Sequence, residues 1–251
     1  MSMRRGGRKD LEIQHGRVLL DRGEASVWGW DTPAGKERVR RRVKWLRRVC
    51  DMKPGVNVLE CGCGTGIFTR QLADSGCDIT AVDISPDLLA CARRECAAPN
   101  TIFVEDNLEE PSFLKDDSYD VICGVSVLHH LDVVKALKAL RPKLKSGGRF
   151  AFSEPNLLNP INKYYFFVPD LTKRLCRGTS PNEMAFRPRE LLQVFGRAGY
   201  TVDTLVMRDF LHPAIPKSLI PIAKWGERLA EAIPLIRLWA GSIWVTGRLS
   251  H

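Results

Sequence analysis

Two hydrophobic periods run along this chain. Over residues 36–50, Val39, Val43, Leu46 and Val49 recur at helical spacing with arginines on the other faces, which predicts an amphipathic helix. Pro54-Gly55 ends it, and from residue 56 the pattern becomes strand, turn and helix in repetition. Residues 56–60, 78–83, 101–104, 119–124 and 149–153 read as short β runs. The run 119–124 is uninterrupted and apolar, as a strand buried on both faces should be. Helical stretches lie between them: 65–75, one opening at Ser85-Pro86 with an N-cap followed by proline at N1, and 133–140. Strands alternating with helices imply βαβ crossovers and an α/β parallel sheet. After Glu154 the regularity breaks. Residues 155–187 are rich in Pro, Asn and aromatics; a helix at 188–198 and strands at 200–207 and 242–249 follow. Residues 1–16 read as a loose arm.

The 251 residues are 44% hydrophobic and 27% charged, a globular composition. The longest apolar stretch, 121–128, is far short of the ~18 residues of a membrane span. The basic start has no apolar segment behind it, so no signal peptide is expected. The eight cysteines include no C-x-x-C pair, and several fall in apolar runs; they read as reduced, buried thiols of a cytoplasmic protein. Cys61 and Cys63 lack a matching second pair, and no carboxylate cluster suggests a metal. The formal charge of +9 is terminal: residues 1–50 hold 14 Lys/Arg against 6 Asp/Glu, 51–206 hold 18 against 20, and 207–251 hold 6 against 3. A basic end points to an anionic partner: a membrane surface, a phosphate-bearing substrate or nucleic acid.

The segment Glu60-Cys61-Gly62-Cys63-Gly64-Thr65-Gly66 joins a strand to a helix. Glycines admit a ligand close to the backbone, and the helix N-terminus offers free N–H groups. A dinucleotide site wants G-x-G-x-x-G, but here the third glycine comes one place early; a Walker loop's Gly-Lys-Ser/Thr is absent. The segment resembles motif I of the class I S-adenosylmethionine (SAM)-dependent methyltransferases, E/D-x-G-x-G-x-G. Asp83 in AVDIS, Asp106 in VEDNLEE, the run YDVICGVSVLHHL and the Leu140–Gly148 stretch LRPKLKSGG follow the family's later motifs in order.

The resemblance implies a seven-stranded, mostly parallel Rossmann-like sheet of order 3-2-1-4-5-7-6 over residues 51–251, preceded by a basic arm and lid helices over 1–50. It implies SAM as cofactor, with S-adenosylhomocysteine as product. The expected cofactor residues are Glu60, Gly62, Cys63, Gly64, Gly66, Asp83, Ile84, Asp106, Asn107, Leu108 and Val125. Glu60 would attract the ammonium, Asp83 would hold the ribose hydroxyls and Ile84 would lie on adenine.

The N/D-P-P-Y/F of base methyltransferases is missing after the fourth strand, which speaks against the exocyclic amines of nucleobases as acceptors. The turn and the length resemble the ubiquinone and menaquinone biosynthesis methyltransferases and related small-molecule enzymes. That implies a hydroxyl or carbon of a small, apolar or lipid-linked acceptor. Methylation of a phospholipid head group, a protein or RNA, or cofactor binding without turnover, are the alternatives. Trp28 and Trp30 read as lid or substrate contacts or as plain core, and the 155–187 insertion, with Asn156, Tyr164 and Tyr165, as a substrate wall. In 208–240, apolar residues at helical spacing alternate with Lys217, Lys224 and Arg228 near Trp225 and Trp239, a pattern of either core or a peripheral membrane surface. A hydroxyl acceptor benefits from a base with near-neutral pKa: His130 first, with His129 or Glu154 in reserve.

Overall fold

The computed structural model describes residues 7–167 and 183–250, without the side chains of Tyr165 and Phe167. Seven strands form one sheet of order β3-β2-β1-β4-β5-β7-β6. They are β1 (Asn57–Cys61), β2 (Asp78–Asp83), β3 (Thr101–Glu105), β4 (Tyr119–Val125), β5 (Leu144–Pro155), β6 (Tyr200–Arg208) and β7 (Ser242–Leu249). All neighbours pair in parallel except β7, which runs antiparallel to β5 and β6. The expected sheet order therefore holds. β1 and β4 are apolar and almost wholly buried, because helices cover both faces of the sheet.

One cluster, built around Phe150, Phe152, Phe195 and Tyr200, fills one face; Phe150 and Phe195 stack at 4.5 Å. The other face packs Val39, Val43, Trp45 and Leu46 of the amphipathic helix α3 (Pro33–Val49). Four helices follow in the doubly wound part: α4 (Thr69–Ala73), α5 (Pro86–Glu95), α6 (Val133–Leu140) and, after α7 (Pro160–Phe167), α8 (Pro188–Arg197). Ser85 caps α5 by accepting from Leu88 N, the role its sequence position suggested.

Two readings need correction. Residues 8–16 are not a loose arm: α1 (Arg8–Arg22) is a helix, followed by the short α2 (Glu24–Val27). Its apolar content is low, but Asp10 closes its first turn by accepting from Gly7 N, and Gly16 lets it press on Ser85 and Leu88 of the sheet's second crossover. The helix after the glycine loop is also shorter than 65–75: residues 65–68 form turns and the helix runs only from Thr69 to Ala73.

Candidate active site

The carboxyl ends of the parallel strands open into a cavity of about 920 Å³, near the upper end of the roughly 300–1,000 Å³ usual for small-molecule sites. At its base Gly62 and Gly64 take φ of +65° and +53°, a region other residues enter only with strain. A Cβ on Gly62 would collide with Val127, and one on Gly64 with the Glu24 carboxylate. Gly64 N donates to Asp83 Oδ2 at 2.9 Å, Ser85 N donates to Asp83 Oδ1 at 2.9 Å, and Thr65 N donates to Glu24 Oε2 at 2.8 Å. Glu60 lies buried below the loop, with Oε2 lacking a hydrogen-bond partner.

Burial pushes the Glu60 carboxyl up to about 7, and raises Glu24 and Asp83 as well. None of the three forms an ion pair among the described residues. Three poorly solvated carboxylates with no cation between them are what a sulfonium with an ammonium would neutralise, so the donor set fits SAM.

Gly62, Cys63, Gly64, Asp83, Ile84, Asp106, Asn107, Leu108 and Val125 all line this cavity. Glu60 and Gly66 lie behind the lining; Gly66 lets the loop close on Ala92 of α5. Asp106 spends its oxygens on the backbone, accepting from Asn107, Ser112 and Phe113 N, and thereby shapes the loop beside Leu108.

The strand-4 turn carries the titratable groups. Ser126 sits at φ +55°, a non-glycine residue in the left-handed region, tied by its N–H to Ser153 O at 2.8 Å. A single 3₁₀ turn, Leu128–His130, follows. Glu154 Oε1 accepts from Val127 N and Leu128 N, and Oε2 meets His129 Nδ1 at 2.9 Å. Glu154 thus acts as acceptor, which places the proton on Nδ1 and leaves Nε2 of the cavity-lining His129 as the free nitrogen.

His130 stands 4.2 Å from His129 ring to ring; its Nδ1 is 3.1 Å from Glu12 Oε2 and its Nε2 is 3.7 Å from Glu183 Oε1. His15 lies against the same group, and burial beside His130 lowers its pKa to about 4. Ligand-capable atoms of His129, His130 and Glu183 fall within 4.8 Å of one another, a donor set that could also hold a divalent cation.

The opposite wall is basic. Arg42 is buried, donates to Ser153 and Ser242 Oγ and pairs with Asp209. Arg38 lies 4.7 Å over the Trp30 ring, and its Nε lacks a hydrogen-bond partner. It forms no ion pair within 4.0 Å among the described residues and lines the cavity, where it could hold an anionic group.

Trp28 and Trp30 both line the cavity, Trp30 packing edge-on against Phe68 beside the loop. The wall expected from 155–187 divides. Asn156 is fully buried and donates to Leu238 O and Ala240 O, pinning the end of β5 rather than facing the cavity. Tyr164 lies half exposed outside the lining, and the Tyr165 side chain and residues 168–182 lie outside the described residues. Asn159, Asn162 and Phe166 take the lining positions.

Sequence reasoning missed Glu12, His15, Glu24, Arg38 and Glu183. Only Arg38 left a signal: it stands four residues before Arg42, beside the apolar stripe of α3.

Fold and cavity together define a class. Residues 59–152 match the family model described as a methyltransferase domain. The ubiquinone biosynthesis O-methyltransferase of Aliivibrio fischeri is 29% identical over 146 residues, covering 56% of this chain and 62% of its own length. That of Erwinia tasmaniensis is 28% identical over 191 residues, 72% of this chain and 77% of its own. The first of these relatives is thus matched over less than two thirds of its length. Among solved structures, magnesium protoporphyrin IX methyltransferase of Synechocystis, with bound S-adenosylhomocysteine, superposes at TM-score 0.66 with 14% identity, over 97% of this chain and all of that one. The putative methyltransferase in complex with the Haloferax volcanii Trm112 activator superposes at 0.65 with 19% identity, over 96% of this chain and 97% of its own.

Proposed function

We propose that this chain moves the methyl group of SAM to a hydroxyl of a small, apolar, lipid-linked acceptor; a ring carbon is the variant without a proton on oxygen. The observation that carries the reading is the His129–Glu154 pair, which opens onto the same cavity as the glycine loop. SAM supplies an electrophilic methyl on a sulfonium, and its thioether leaves without an acid. Glu60 and Glu24 balance its positive charge, and Asp83 accepts from the ribose hydroxyls. Trp28, Trp30 and Phe166 keep the acceptor side apolar and dry. His129 Nε2 removes the hydroxyl proton, and Glu154 stabilises the resulting imidazolium through Nδ1. His129 takes this role ahead of His130 because its tautomer is fixed.

The test is a radiolabelled-SAM assay against alkyl-tailed phenols. His129→Asn is expected to lower kcat by roughly 10²–10⁴-fold while S-adenosylhomocysteine affinity holds. Unchanged turnover in that variant refutes the base. A second reading is favoured by the 4.8 Å grouping of His129, His130 and Glu183, with Glu154 oriented behind His129 as a metal-bound histidine's carboxylate would be. In it these side chains are cation ligands rather than a base. Loss of turnover on chelation, restored by a divalent ion, selects that reading.

A further inference from the structure

The segment between β6 and β7 forms α9 (Ile220–Ala232) and α10 (Pro234–Arg237). Its inner side is fixed by its acids. Glu227 accepts from Phe210 N and Leu211 N and pairs with Arg41; Glu231 accepts from Asp209 N and pairs with Arg41 and Arg208. Both glutamates are buried. They are the only acidic residues from 212 to 240, so every exposed charge on this element is positive. The outer side is apolar. Ile222 is 68% exposed, Trp225 63%, Leu235 77% and Trp239 57%, with Leu229 and Ile233 between them on the same stripe. Lys217 and Arg228 stand exposed along it.

Leaving large apolar side chains in water at this exposure costs free energy, and a monomer rarely leaves so many together. No helix among the described residues is long and apolar enough to cross a membrane, so a surface location is the relevant one.

The face is also continuous with the cavity. Asn159 Nδ2 donates to Trp239 O at 2.6 Å and Asn162 Nδ2 to Gly241 O at 2.8 Å, which ties α7 to the end of α10. Ile161 of α7 is half exposed and lines the cavity. On the other flank His212, Pro213 and Ala214 line it and lead into α9.

We propose that the α9–α10 face docks on a bilayer containing anionic lipid, with its aromatic and aliphatic side chains in the interfacial layer and its lysine and arginine against the headgroups. The cavity mouth then meets the membrane, and an apolar acceptor enters without crossing water. The inference gives the acceptor of the proposed reaction its source, but the docking itself does not depend on methyl transfer.

The experiment is flotation of the full chain with phosphatidylcholine vesicles, with and without phosphatidylglycerol. The wild type is expected to float with the anionic vesicles and less with the neutral ones. Trp225→Ser/Leu235→Ser should lower the partition coefficient at least about tenfold, and Arg228→Glu about fivefold. S-adenosylhomocysteine affinity and melting temperature, read on the same samples, should stay at wild-type values and report the fold and cofactor site separately. A wild type that does not float, or surface variants that float as the wild type does, overturns the proposal. So does a dimer in sedimentation equilibrium that Trp225→Ser dissociates, since the face is then a contact between two copies.

Discussion

Glu60 stands under the glycine loop with a carboxyl pushed up to about 7 by burial, against 4.5 in an unfolded chain. The folded chain therefore holds a proton there that the unfolded chain releases. Its stabilising effect is full below pH 4.5 and is lost as pH rises toward and through 7, by up to ~3 kcal/mol. The melting temperature of ligand-free protein is expected to rise between pH 8 and pH 6, and Glu60→Gln should flatten that slope; a parallel slope in the variant would place the titration elsewhere. A cation bound above the carboxylate favours its charged form, so S-adenosylmethionine binding near pH 7 should release protons. Titrations in phosphate and Tris buffers should then give different apparent enthalpies, and the difference should vanish in Glu60→Gln. Glu60 and Asp83 were legible in the sequence because a strand end beside glycines fixes their position. Glu24 was not: it reaches Thr65 from a lid whose docking depends on tertiary contacts.

At the scale of elements, the strands follow their hydrophobic periods, the first crossover helix is shorter than its reading, and Val133–Leu140 and Ser242–Leu249 coincide with theirs. Elements that lack such a period were misread. α1 carries little apolar content, and its helix rests on contact with α5 through Gly16 and the Arg17–Asp87 pair at 2.9 Å. A side chain at Gly16 would strike Ser85. Gly16→Val is thus expected to release the lid: proteolysis before residue 24 should accelerate and S-adenosylhomocysteine affinity fall about tenfold or more, with the melting temperature little changed. Equal affinity in the variant would show that α1 is not part of the cofactor site. In the 208–240 insertion the same periodicity suits core or membrane surface, and only the burial of Glu227 and Glu231 reveals which side faces in.

Across the whole molecule, charge is sorted along one strand edge. Carboxylates without a cationic partner gather at the β1–β2 end, and arginines with their acidic partners at the β7–β6 end, five strand spacings or ~24 Å apart from β2 to β6. The basic end is held by the buried pair of Arg42 with Asp209. Removing one partner strands a desolvated charge, so Asp209→Ala should cost roughly 3–5 kcal/mol and lower the melting temperature by about 10 °C; a change of a degree or two would mean that Arg42 finds other partners. No sequence pattern links residues 42 and 209, and their pairing comes only from the topology that sets β6 and β7 beside α3. The central claim is that the acidic end binds S-adenosylmethionine. Calorimetric titration of ligand-free protein with S-adenosylmethionine and S-adenosylhomocysteine, beside Asp83→Ala, tests it most directly. Micromolar binding of both by the wild type, lost at least tenfold in the variant, is the predicted result; no binding by the wild type, or equal binding by Asp83→Ala, would contradict it.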